Sequence, residues 1–272
     1  MRIALGQLTS SPRKDETLNA ALRAVREARR AGADLLLLPE IFMAFLDRSA
    51  GVTRASVAEP LDGPFVSAVA REARAHHLHV ACGVWETAPG EQVRAYNTTV
   101  LLGPDGSLLL SYRKSHLYDA FGYHESAQVV PGESAPRTVR TSLGVLGLLV
   151  CYELRFPELA RMLALDGAEV ILVPAAWVAG ALKEDHWETL LRARAIENTV
   201  FIAATDQVGN IYAGGSRIVD PMGVVVAGAG ETEALVTGDV DLSRIAGVRE
   251  KLPVLRQRRE EIYTQRRAPA RA

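Results

Sequence analysis

The sequence has little that would tie it to a disulfide framework, a nucleic acid or a membrane. It carries two cysteines in 272 residues, Cys82 and Cys151, and at 69 positions apart they make neither a disulfide ladder nor a zinc signature. Charge of one sign is missing too: 31 Lys and Arg stand against 32 Asp and Glu. That removes the broad electrostatic case for a nucleic-acid or anionic-membrane partner. No apolar run approaches the roughly 20 residues that a membrane helix needs. The opening MRIALGQLTS enters a strand pattern at once and lacks the charged-then-apolar form of a signal peptide. The six histidines are clustered (His76, His77, His79) or scattered (His116, His124, His186). They fit neither an i, i+4 ligand pair nor a finger spacing, so no metal is expected. The glycine-rich segments 213–216 and 227–230 lack the Walker lysine and a strand–GxGxxG–helix setting, so no nucleotide cofactor is expected either. With 48% hydrophobic and 23% charged residues, the composition describes a globular protein, read here as reduced and cytoplasmic.

What is present is a set of short apolar runs rich in branched residues, at 3–8, 35–38, 79–84, 98–102, 145–150, 170–173, 200–204 and 217–219. Most are closed by Gly, Pro or Asn, which predicts strands, and several are apolar on both faces, which predicts strands covered on both sides. Helical periodicity lies between them. In 16–32 the apolar positions Leu18, Ala21, Leu22, Val25 and Ala28 share one face ahead of Gly32. Segments 65–75, 157–167 and 185–198 read as three more helices. The two halves also match each other. GADLLLLP at 32–39 parallels GAEVILVP at 167–174, Arg74-Ala75 parallels Arg194-Ala195, and LGPDG at 102–106 parallels VDPMG at 219–223. Three matches in the same order predict one domain over 1–272, built from two similar layers and covered by helices. The segment 249–272, with eight basic and three acidic residues, reads as an arm.

Cys151 closes the run 145–150 and precedes a segment that opens a helix at Pro157. A strand-to-helix elbow lifts a side chain out of a sheet and favours a thiolate near helix amides, so Cys151 is a candidate nucleophile populated as thiolate near neutral pH. Its alternative is a small buried hydrophobe, the better reading for Cys82 inside its strand. Glu40 directly follows a buried strand, at the carboxyl end where ligands bind in α/β sheets, and is a candidate general base or an ordinary loop carboxylate. Lys114 follows the hairpin strand 108–112 and is either a surface lysine or a charge for an oxyanion.

Together these residues resemble a family. LLLLPE at 35–40, YRKSHLY at 112–118 and CYELRFPE at 151–158 are similar to the three signature blocks of the nitrilase superfamily of carbon–nitrogen hydrolases. The helix from His186 to Asn198 resembles the segment that follows them there. The resemblance implies a four-layer α–β–β–α sandwich and a Glu–Lys–Cys triad on Glu40, Lys114 and Cys151, with Glu125 as a second carboxylate. It implies an oxyanion hole from Lys114 and the backbone N–H of Tyr152, substrate contacts from Arg155 and Trp177, and no metal or cofactor. For Arg155, a structural ion pair near the elbow is the alternative. Glu153 stands where many members carry Asp. The pattern is most similar to small amidases acting on dicarboxylate monoamides or deaminated glutathione. N-carbamoyl-amino-acid amidohydrolases and nitrilases share the triad, and a silent binding module is the alternative outside catalysis. The resemblance further implies a homodimer or larger homo-oligomer formed through helices 157–167 and 185–198.

Overall fold

The computed structural model describes residues 1–46 and 51–263. The first half of the chain runs β1 (Arg2–Gln7), α1 (Lys14–Arg30), β2 (Leu35–Leu37), α2 (Arg54–Val57), α3 (Pro64–His76), β3 (His79–Glu86), β4 (Ala95–Leu102), β5 (Leu108–Arg113) and the short β6 (Val129–Val130). The second half runs β7 (Thr138–Thr141), β8 (Gly144–Leu148), α4 (Pro157–Leu165), β9 (Val170–Ala175), α5 (Lys183–Asn198) and β10 (Phe201–Asp206). A small hairpin, β11 (Val208–Gly209) with β12 (Tyr212–Ala213), precedes β13 (Arg217–Val219) and β14 (Val225–Gly228). β15 (Ala234–Asp239), α6 (Ser243–Lys251) and α7 (Glu260–Tyr263) complete the described chain. The expected arm thus begins within α6, and its last residues, 264–272, lie outside the described residues.

The repeat is visible in the topology. One sheet has the order β15-β1-β2-β3-β4-β5, with β6 alongside β4, and the other β7-β8-β9-β10-β13-β14 read from the opposite edge. In the first, β1, β2 and β3 are parallel and β4 and β5 return antiparallel. β8, β9, β10, β13 and β14 follow the same directions in the second. The matched turns also agree: Gly103 N–H donates to Ser107 O at 2.8 Å and Asp220 N–H to Val224 O at 2.8 Å. Each places a glycine in the left-handed region, Gly106 at φ 81° and Gly223 at φ 80°, which costs glycine least.

Alternation along the first sheet sorts its residues into two environments. Ile3, Leu5, Leu35, Leu37, Ala81 and Leu101 pack with the second sheet and with Leu159, Leu163, Leu191 and Ala195 of α4 and α5. Ala4, Leu36, Leu38, Val80 and Cys82 pack instead with Ala21, Val25, Val66 and Val69 of α1 and α3. The layers are therefore α–β–β–α. Fully burying one such aliphatic side chain contributes about 1.5–3 kcal/mol.

One glycine decides where the first functional candidate sits. After β2 the chain crosses β3 at Gly83, whose N–H donates to Pro39 O at 3.0 Å. A Cβ added at Gly83 would lie 2.6 Å from both Glu40 Cα and Pro39 O. Gly83→Ala is expected to cost about 1–3 kcal/mol in chemical denaturation, because backbone must move to admit the methyl group.

Candidate active site

Glu40 leaves the end of β2 and is 2% exposed. Its Oε1 accepts from Lys114 Nζ at 2.9 Å and Asn97 Nδ2 at 2.7 Å. Its Oε2 accepts from the Ala176 N–H at 2.7 Å, just past β9. Its carbonyl oxygen accepts from Gln207 Nε2 at 2.8 Å. Glu40 is therefore a fixed carboxylate joining both sheets, and the solvated loop reading does not hold.

Lys114 continues the β5 ladder: its N–H donates to Asn97 O at 2.9 Å. The ammonium is equally buried and lies 2.9 Å from Glu125 Oε2 as well as from Glu40. Glu125 opens a single 3-10 turn, Glu125–Ala127, and its Oε2 also accepts from the Tyr118 N–H at 2.6 Å. Burial works against the charge on Lys114, but Glu125 and Glu40 outweigh it and hold the lysine protonated well above its usual range.

Cys151 follows Val150 and adopts φ 48°, in the left-handed region. The residues Cys151–Arg155 form a 3-10 turn before α4 opens at Pro157. The fully buried Glu153 holds that turn. Its Oε2 accepts from the Val150 N–H at 2.9 Å, and its Oε1 from Tyr112 Oη at 2.7 Å and the Ser115 N–H at 2.8 Å. Burial opposes ionisation of Glu153, but hydrogen bonds from His116, Tyr112 and Ser115 keep it below the usual carboxylate range. The carboxylate thus fastens the Cys151 turn to the strand end that carries Lys114, and Glu153 is not among the residues lining the pocket.

One pocket is lined by Glu40, Lys114, Glu125, Cys151 and Tyr152 together. Tyr118, Tyr123 and Tyr212 add aromatic walls, and Arg155, Trp177 and Lys183 add two cations and an indole. The Arg155 guanidinium lies over the Trp177 ring, 4.9 Å from its centroid. It forms no ion pair among the described residues, and its Nε is buried without a hydrogen-bond partner. Among the described residues the ion-pair alternative for Arg155 is not realised.

The expected resting thiolate needs correction. Burial first, and then the Glu40 carboxylate, push the Cys151 thiol well above its usual range, and Lys114 pulls the other way without prevailing. The N-terminal amides of α4 come only after the intervening 3-10 turn. The Ala176 N–H, which donates to Glu40, also favours the charged sulfur, as Lys114 does.

Comparison with known proteins now settles the family. The carbon-nitrogen hydrolase pattern matches residues 2–250. The chain belongs to the carbon-nitrogen hydrolase family. It is 40% identical over 261 residues to a deaminated glutathione amidase of Escherichia coli O157:H7, covering 95% of this chain and 97% of that one. The NitFhit protein of C. elegans superposes with a TM-score of 0.89 at 31% identity, covering 97% of this chain and 66% of that chain. A Glu-to-Gln mutant of the amidase from Nesterenkonia sp. AN1 superposes with a TM-score of 0.82 at 29% identity, covering 98% and 97%. That structure carries the acetamide moiety of fluoroacetamide bonded to its active-site cysteine. This chain is accordingly a hydrolase of carbon–nitrogen bonds with the nitrilase-type sandwich.

In this hydrolase the sequence candidates Glu40, Lys114, Glu125, Cys151, Tyr152, Arg155 and Trp177 all line one pocket. Sequence reasoning missed Asn97, the Ala176 N–H, Asp206 and Lys183. Asp206 is fully buried at the end of β10, where Oδ1 accepts from the Trp177 N–H at 2.6 Å and Oδ2 from the Gly214 N–H at 3.0 Å. A polar residue at one end of an apolar run, Asn97 before 98–102 and Asp206 closing β10, was the available signal for either. Cys82, in contrast, packs among apolar side chains, and burial pushes its thiol up to about 12. Limiting iodoacetamide on folded protein is expected to label Cys151 before Cys82, at a rate that climbs with pH because Cys151 starts as the thiol. Peptide mass spectrometry finding Cys82 labelled first would contradict the different settings of the two thiols.

Proposed function

We infer that the chain is a cysteine-dependent amidase for an amide of a small dicarboxylic acid, with deaminated glutathione as its leading candidate substrate. The observation that carries this reading is the ion cluster, with Lys114 Nζ at 2.9 Å from both Glu40 and Glu125 in the pocket that Cys151 lines. A neutral thiol beside a fixed carboxylate suits a base-assisted attack. Glu40 takes the Cys151 proton as the sulfur adds to the amide carbonyl. Lys114 and the Tyr152 N–H stabilise the oxyanion, each contributing on the order of 3–4 kcal/mol in a dry site. Glu125 keeps Lys114 aimed. Glu40 then passes its proton to the departing amine and activates water against the thioester, which frees the acid and restores the thiol.

Arg155 and Trp177 supply the acyl-side specificity. The guanidinium stacked on the indole is preorganised and among the described residues has no carboxylate partner, so a substrate carboxylate supplies one. The similarity to deaminated glutathione amidases points to the same kind of acid. A free thiol nucleophile suits a reducing compartment such as the cytoplasm. Among the described residues no helix is long and apolar enough to cross a membrane.

The test is product formation from deaminated glutathione and from dicarboxylate monoamides, with Glu40→Gln as the diagnostic variant. Glutamine keeps the shape and removes the base, so turnover is expected to fall by about 10²–10⁴. Activity within a few-fold of the unmodified enzyme would reduce Glu40 to a structural carboxylate. The enzyme is also expected to pair through α4 and α5, whose outer faces leave Met162, Leu165 and Ile196 more than 40% exposed. Ultracentrifugation at micromolar concentration is expected to give a dimer; a lone 29.4 kDa species would refute the pairing.

A further inference from the structure

The pocket holds a second cation without a counterion. Lys183, the first residue of α5, lines the same pocket as Cys151 and Arg155. Its ammonium donates to Tyr118 Oη at 2.5 Å and lies 4.6 Å from the Tyr118 ring centroid and 5.2 Å from that of Phe121. Among the described residues it forms no ion pair. Lys114, the other pocket lysine, is neutralised twice over by Glu40 and Glu125. A cation fixed against aromatic faces and lacking a carboxylate is available to an incoming anion.

Its place tells which half of the substrate that anion belongs to. Arg155 ends the turn that begins at Cys151. Lys183 stands instead beside Phe121, which is 78% exposed, so it lies on the solvent-facing side of the pocket. When the amide is cleaved the acyl half stays on sulfur and the amine half leaves first, so the amine half must lie toward that side. We propose that Lys183 binds a carboxylate on the amine half of the substrate and so selects amides whose leaving group is an amino acid or a short peptide. This rests on the amidase reading above, and deaminated glutathione, whose amine half is cysteinylglycine, has the required terminal carboxylate.

The Lys183 ammonium also holds Tyr118, whose N–H binds Glu125, so a merely structural role would slow every substrate alike. The test must therefore read discrimination and not rate alone. Two substrates suffice, deaminated glutathione and its C-terminal carboxamide, which differ by one charge on the amine half. The unmodified enzyme is expected to favour the acid about 10–100-fold in kcat/KM. In Lys183→Gln that preference should shrink to about twofold or less, and Lys183→Arg, which keeps a cation there, should retain most of it. A preference as large in Lys183→Gln as in the unmodified enzyme, or none in the unmodified enzyme, overturns the proposal. A third substrate, the primary amide of the same 2-oxo dicarboxylic acid, separates the two readings. If the unmodified enzyme cleaves it and not deaminated glutathione, the role of Lys183 fails and the acyl-side reading stands; if it cleaves none of the three, the acyl-side reading fails.

Discussion

A buried ammonium sets the terms for everything around it. Taking Lys114 out of water costs several kcal/mol, which only close and well-oriented anions can offset. Glu40 and Glu125 provide them, and the cluster then carries one more negative charge than positive. That surplus has a chemical use. Together with burial, which acts first, it holds the neighbouring thiol protonated, and in the mechanism proposed above it leaves a carboxylate to receive the proton. Asn97 lets two like charges share so small a space, because its Nδ2 donates to Glu40 at 2.7 Å and to Glu125 at 3.3 Å.

Strained backbone is concentrated at the same place. Ile41, Phe121, Cys151 and Leu182 all have φ between 44° and 61°, a conformation that costs a bulky residue about 1–3 kcal/mol. Each lies in the pocket wall or directly beside a residue that does. The surroundings that hold two of them are explicit. Gly83 leaves room for the chain to turn at Glu40 and Ile41, and Glu153 receives the amide that precedes Cys151. Gly83 meets Glu40 from another strand, and Glu153 ties its own turn to Tyr112 and Ser115 at the end of β5, so the geometry of the site is a property of how the layers are stacked.

That dependence explains what could be read from the sequence. The strands at 35–38 and 170–173 were legible because branched apolar runs closed by proline or glycine have few other solutions. The repeat was legible because matching turns need matching residues, and Gly106 and Gly223 occupy the same conformation. Cys151 could be singled out by its position between a strand and a helix. Glu125 could not, since it sits in a loop with no periodicity, and only the resemblance to a family pointed to it. Asn97, Asp206 and the Ala176 amide lay beyond reach for a different reason. Each does its work through a partner distant in sequence or in a loop past a strand end, and no local pattern records that pairing. The resting thiolate was a misreading of the same kind: the elbow was visible, but the burial and the carboxylate that oppose ionisation come from the stacking of the two sheets. No sequence pattern singles out Lys183, and only the pocket gives its charge a direction.

The two sheets differ in where they obtain one edge strand. β7 pairs with β8, its neighbour in the chain, through a hairpin. The equivalent partner of β1 is β15, which arrives from the far end of the described chain and pairs Arg2 with Asp239. The N-terminal sheet is therefore left with an open edge during synthesis until residues 234–239 have emerged. Contacts of such long sequence separation form late and slowly, so the first layer to be made is the last to be closed. A nascent chain of this protein would present a bare strand edge from the making of β1 until the making of β15, the period when an unpaired edge is most open to pairing with the wrong neighbour.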